Sequence, residues 1–142
     1  MMTKTNLSPE LLRVVDANLN RLKEGVRVVE DILRYKENNK QLATKLKTLR
    51  HRVVLPNHKE LLTNRDSIND VLKPSTQSEQ KRTSLEGIIV ANFKRAEESA
   101  RVLEELYKLE NIEQSELFKT IRYTLYSLEK EVLLTNTTSN SK

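Results

Sequence analysis

Residues 14–33 read VVDANLNRLKEGVRVVEDIL, and residues 88–107 read IIVANFKRAEESARVLEELY. At a constant offset of 74 residues, Asn18, Arg21, Glu24, Arg27 and Glu30 recur as Asn92, Arg95, Glu98, Arg101 and Glu104, while most residues between them change. Two further segments, LKTLRH from Leu46 and FKTIRY from Phe118, match at an offset of 72. A chain made of two copies of one unit is confined to folds in which those units cover each other or stack.

The copies are helical in pattern. Leu11, Val15, Leu19, Leu22, Val26, Val29 and Leu33 follow at spacings of three and four, and the copy places Leu85, Ile89, Phe93, Ala96, Ala100, Leu103 and Tyr107 in the same register. Ser8, Pro9 and Glu10 supply a cap, an N1 proline and an early acid, and Asn38-Asn39 ends the helix. A second helix is expected from about Lys40 to Leu55, closed by Pro56. A third should begin between Ser78 and Ser84 and reach Leu109, and a fourth should span about Ile112 to Leu134.

Two hairpins, each with one apolar face, predict an all-α four-helix bundle with pseudo-two-fold symmetry, because an open solenoid needs about three or more repeats. The expected organisation is a single helical domain, 1–142: repeat 1 over about 8–55, a long central loop over about 57–84, repeat 2 over about 85–134 and a disordered tail, 135–142. A connection that long inside a compact domain is a lid, a binding loop or a disordered stretch.

Composition narrows the chemistry. The chain has no Cys, which excludes disulfides and thiolate metal sites, and its two Gly cannot build a phosphate cradle. No apolar run approaches a membrane span and the N-terminus lacks a signal-peptide core, so a cytoplasmic protein is expected. The net charge of +5 suggests an anionic partner. Basic residues are interleaved with acids, which favours a small phosphorylated ligand over nucleic acid.

Beside the core stripe runs a second one, Val14, Asn18, Arg21, Gly25, Val28 and Ile32, copied as Ile88, Asn92, Arg95, Ser99, Val102 and Leu106. Polar side chains next to a core need partners or a ligand. Arg50 and Arg122 sit at the rim of their own core stripes, so with Arg21 and Arg95 they can bring four guanidiniums to a shared cleft suited to bidentate phosphate binding. Glu30 and Glu104, on the opposite edge, read as braces for an Arg across the bundle. In the loop, Asp66 and Asp70 are either Mg²⁺ ligands or turn formers, and the two His residues are too few for a metal cluster.

The segments DANLNRLKEGVRVVEDILRY, LKTLRH, NRDSIND, ANFKRAEESARVLEELYKL and IRYTLY resemble the hydroxymethylpyrimidine-phosphate kinase domain of thiamine biosynthesis, which is often fused in front of a thiamine phosphate synthase barrel. The resemblance covers about Val14 to Leu128 and implies transfer of the γ-phosphoryl group of ATP to hydroxymethylpyrimidine phosphate with Mg²⁺. On that basis Arg21, Arg95, Arg50 and Arg122 are expected to bind the reacting phosphates, and Asn18 and Asn92 to orient substrate. Arg65 and Arg82 would close over the nucleotide, and Glu24, Glu98 and Asp66 would hold Mg²⁺ or its water shell. The expected partners are ATP and the phosphorylated pyrimidine, with a functional link to thiamine phosphate synthase and room for a homo-oligomer, but no nucleic acid or membrane. Two other readings compete: a non-catalytic accessory domain for the synthase, and an all-α enzyme whose paired arginines hold a dicarboxylate.

Overall fold

The computed structural model describes residues 6–55, 58–76 and 81–140, and these are helical with no β-strand. Helix α1, Pro9–Asp31, starts as its sequence requires: the Ser8 hydroxyl accepts a hydrogen bond from the Leu11 amide at 3.2 Å, and Pro9 occupies the first turn. It buries Leu12, Val15, Leu19, Leu22, Val26 and Val29, while Leu11 is only partly buried. The helix then widens into a π turn, Ile32–Lys36, in which the Glu37 amide donates to the Ile32 carbonyl at 3.1 Å. Asn38 reverses the chain in the left-handed region, at φ 52°, which Asn tolerates better than most residues.

Helix α2, Lys40–Arg52, is capped by the Asn39 side chain, which accepts from the Leu42 amide at 3.0 Å. It ends three residues before the expected Leu55, and Pro56, the expected stop, lies outside the described residues. The stretch expected to be one long loop contains a seven-residue helix, α3, His58–Asn64, held by buried Leu61. Leu61-Leu62 mark one short helical turn in the sequence, and the helix extends beyond it to seven residues; a single buried anchor within two turns leaves too little periodic signal to give its length.

Helix α4, Leu85–Tyr107, is capped by Ser84, and Ser78, the earliest expected start, lies outside the described residues. Helix α5, Ile112–Asn140, continues past Leu134, where the tail was expected to begin; Ser141 and Lys142 lie outside the described residues. No Gly or Pro interrupts that extension, and polar residues can continue a helix beyond its last buried turn.

Helix α1 lies along α4, α4 along α5, and α2 and α3 pack on α1. Contact between α2 and α5 is slight and includes the exposed Lys45–Glu131 pair at 3.1 Å. Helices α1 and α4 approach closely at Gly25, where a Cβ would lie 2.8 Å from the Asn92 carbonyl oxygen and 3.4 Å from the Ala96 Cβ. Gly there trades helix propensity for close approach of two backbones. No helix among the described residues is long and apolar enough to cross a membrane.

Candidate functional site

Apart from Arg27 and Arg101, which pair with acids of their own helices, the repeated polar residues separate into two groups. In the first group, carboxylates buried on α1 and α4 clasp guanidiniums from the following helices. Glu30, 1% exposed, accepts from Arg50 Nε at 2.7 Å and from its terminal nitrogen at 3.2 Å. Glu104 accepts from Arg122 Nε at 3.0 Å, and Arg122 also donates to the Tyr126 hydroxyl at 3.3 Å. The two Arg residues expected in a phosphate cleft are therefore engaged inside the fold, each closing its own hairpin. Glu30 and Glu104 each brace an Arg, but on the next helix of the same hairpin and not across the bundle.

In the second group, Arg21, Glu24, Arg95 and Glu98 are exposed, and none makes an ion pair or side-chain hydrogen bond among the described residues. Between them Asn18 and Asn92 behave alike: each side-chain amide donates to the carbonyl four residues earlier, Val14 at 2.9 Å and Ile88 at 2.8 Å. That bond orients the carboxamide and leaves its oxygen as an acceptor.

On the α1 side these residues border a cleft of about 580 Å³, lined by Asn18, Arg21, Glu24 and Arg65 together with Arg13, Asp16, Asp66 and Asp70. The loop after α3 forms the opposite wall, and its attachment is electrostatic. Arg65 donates twice to Asp16, at 2.6 and 2.7 Å, and Arg13 donates to the Asp66 carbonyl at 3.1 Å. Asp16 is 5% exposed, so its carboxylate depends on the Arg65 fork for solvation.

The Asp66 carboxylate turns inward on its own loop. It accepts from the Asn69 side chain at 2.8 Å and from the Asn69 and Ile68 amides at 3.0 and 3.2 Å. These bonds, the Asn69 side chain first, hold its pKa below the ordinary carboxylate value. Asp70 similarly accepts from the Leu72 amide at 2.9 Å. Among the described residues no three His, Asp or Glu side chains gather as a metal-binding group. Of the three residues expected at Mg²⁺, Glu24 and Asp66 line the cleft and Glu98 does not.

The remaining expected residues lie elsewhere. Asn92, Arg95 and Glu98 are on α4 and do not line the cleft, and Arg82 donates to the Lys81 carbonyl at 2.9 Å ahead of α4. Asp16 and Arg13 were not singled out from sequence. Asp16 occupies a position where the copy has Val90, and a charge facing an apolar counterpart was the available signal.

This helical pattern can be placed among known proteins. Residues 13–131 match the ThiD2 family. The chain belongs to that family. Curated relatives of this ThiD2 chain include proteins named thiamine-phosphate synthase from Nostoc sp., 39% identical over 125 residues, and from Nostoc punctiforme, 37% identical over 134 residues. A third, from Synechocystis sp., is 38% identical over 124 residues. The matches cover 85%, 92% and 87% of this chain but only 35%, 37% and 36% of those proteins, so the ThiD2 chain spans a little over a third of their length. No solved structure matches it. The ThiD2 domain thus stands in the context of thiamine biosynthesis, through relatives that carry the name of a synthase.

Proposed function

We propose that this domain is a hydroxymethylpyrimidine-phosphate kinase, and that the cleft between α1 and the loop after α3 is where ATP and the pyrimidine monophosphate meet. The observation that carries this reading is the contrast between the repeated arginines: Arg50 and Arg122 are neutralised internally, whereas Arg21 makes no ion pair among the described residues and borders a cleft. An exposed guanidinium with its N–H fork available suits bidentate phosphate recognition.

The cleft is not simply basic. Glu10, Asp16, Glu24, Asp66 and Asp70 face Arg13, Arg21 and Arg65, and Asp16 and Arg65 cancel each other. The surplus of acid repels a bare polyphosphate and favours one that arrives with its charge partly neutralised by a divalent cation. Mg²⁺ is commonly held by one or two carboxylates plus substrate phosphates and water, so Glu24 is the group that would touch it, and the ion would lower the charge on the transferring phosphoryl group.

In this reading Arg21 orients the phosphates, Arg13 and the Asp16–Arg65 fork fix the loop wall, and the Asn18 carboxamide oxygen accepts from the exocyclic amine of the pyrimidine. An oxygen of the acceptor phosphate forms a bond to the γ-phosphorus of ATP while the bond to the β,γ-bridging oxygen breaks, releasing ADP. The attacking oxygen is already ionised at neutral pH, so alignment and charge neutralisation carry the catalysis without a strong base. Arg95 and Glu98, on α4, form the unequal counterpart.

A second reading, an accessory domain of the synthase without turnover, is favoured by the loop tip, where Ile68, Val71 and Leu72 are exposed beside the cleft. ADP release with ATP and Mg²⁺, compared without acceptor, with the free pyrimidine alcohol and with its monophosphate, separates the two. The kinase gives turnover that requires the monophosphate and falls by about 10²-fold or more in Arg21→Ala, with a smaller loss in Arg95→Ala. No turnover by a folded protein refutes the kinase and leaves the accessory reading.

A further inference from the structure

A second cavity, of about 350 Å³, lies at the far end of α1. Arg34 of the π turn, Asn38 of the connection, and Lys40, Thr44 and Lys47 of α2 line it together with Glu30. The last three α2 residues recur at spacings of four and three and so share one helix face. Each acid close by is already engaged: Glu30 by Arg50, Asp31 by Arg27 and Glu37 by Lys36. Lys40 and Lys47 have no ion pair among the described residues. The Arg34 guanidinium lies over the Tyr35 ring at 4.9 Å, a stacked contact that leaves its N–H edge available. Three cations thus border one concavity without an unengaged acid between them.

The second half keeps a cation at two of these positions, Lys108 for Arg34 and Lys119 for Lys47, but not at the others. Lys40 and Thr44 correspond there to Ile112 and Glu116. From clasping Glu to clasping Arg the chain runs 20 residues in the first half and 18 in the second. The longer first connection contains the π turn and left-handed Asn38, and the cationic residues cluster around it. Helix widenings of this kind are frequent at functional sites.

We infer that this cavity is a second anion site, one that takes the phosphoryl or diphosphoryl group of a small molecule. Arg34 lies 13 residues beyond Arg21 in the same helical run, which is about 20 Å along the axis. Reacting atoms must approach to about 3.5 Å, so an anion held here cannot react with one in the cleft. The site recognises a ligand and transfers nothing, and it stands independently of the kinase reading. Its volume is at the small end for ligand pockets and suits a compact anion over a polymer or a membrane surface.

Inorganic phosphate and pyrophosphate, titrated calorimetrically into the full chain without divalent cation, test the inference. Pyrophosphate should bind, and Lys40→Glu with Lys47→Glu should weaken it by at least about tenfold, since two charge-assisted contacts are reversed in sign. Arg52→Ala, an exposed cation at the other end of α2, should leave it unchanged. Both lysines are exposed, and helicity by circular dichroism checks that the variants fold. Amide shifts of the unaltered protein give a reading independent of any variant, and they should centre on Asn38, Lys40 and Thr44. Absence of pyrophosphate binding, equal affinity in the double variant, shifts centred elsewhere, or loss in Arg52→Ala would each overturn the site.

Discussion

In the first half of the molecule Arg50 is the guanidinium that meets buried Glu30, whereas in the second half Glu104 is met by Arg122 at 3.0 Å and more distantly by Arg101 at 3.7 Å. Around these matched clasps the halves diverge. The first carries the docked loop, the cleft and the π turn. The second carries Tyr123 and Tyr126, with the Arg122 guanidinium 4.9 and 5.8 Å from their rings, and an acidic cluster in which Lys94 reaches both Glu97 and Glu129 at 3.3 Å. Duplication therefore kept the interaction that closes each hairpin and left the flanks able to specialise. A buried charge tolerates no loss of its partner, but an exposed flank tolerates almost any change.

The largest effect should come from breaking a clasp. Arg50→Ala strands a carboxylate that is 1% exposed, which should cost about 3–5 kcal/mol in denaturant-induced unfolding. Arg122→Ala should cost less, because Arg101 remains near Glu104. Equal costs would remove the distinction drawn between the halves. Loss of ADP release in Arg50→Ala would then reflect folding, which separates it from Arg21→Ala.

The next comparison concerns pH. Glu97 is 3% exposed, and its position corresponds to Lys23 of the first half. Burial first, then the hydrogen bond and charge of Glu129, push its pKa up to about 7 against the opposing pull of Lys94. Below about 4.5 both folded and unfolded states hold this proton, and between about 4.5 and about 7 only the folded state does. Its contribution to stability therefore falls as pH rises through that window and levels off above it, by no more than about 3 kcal/mol. Unfolding free energies at pH 5 and pH 8 should differ less in Glu97→Gln than in the unaltered chain; an unchanged difference would place the titration elsewhere.

The smallest effect sharpens the α1–α4 contact. In Gly25→Ala the new Cβ meets the Asn92 carbonyl at 2.8 Å, and backbone cannot yield as a side-chain tip would. A packing cost of about 1–3 kcal/mol, offset by up to about 1 kcal/mol of helix propensity, should leave a net loss. At the matching position Ser99→Ala should change stability by less, because the copy already accommodates a Cβ there. A stabilised Gly25→Ala would show that the helices can separate without loss.

The helices and their inner faces were legible because periodicity is a local property: Val15, Leu19, Leu22, Val26 and Val29 need only a 3.6-residue repeat to find a common side. The Ser8, Asn39 and Ser84 caps are equally local, each accepting from an amide three residues on. Helix α3 was legible only as one short turn at Leu61-Leu62, because two adjacent leucines cannot establish a period. Asp16 escaped notice because its partner, Arg65, lies 49 residues away across a loop.

Sequence alone determined that this chain is helical, that its unit occurs twice, and that Asn, Arg and Glu recur beside each core stripe. Only the tertiary structure decided which of those charges are available. Arg50 and Arg21 are alike in composition and in their place beside a core stripe, yet one is fixed by a carboxylate from another helix and the other borders an open cleft. Spacing along a helix sets the face on which a side chain lies, but the charge opposite that face comes from a distant part of the chain and is set by how the helices pack.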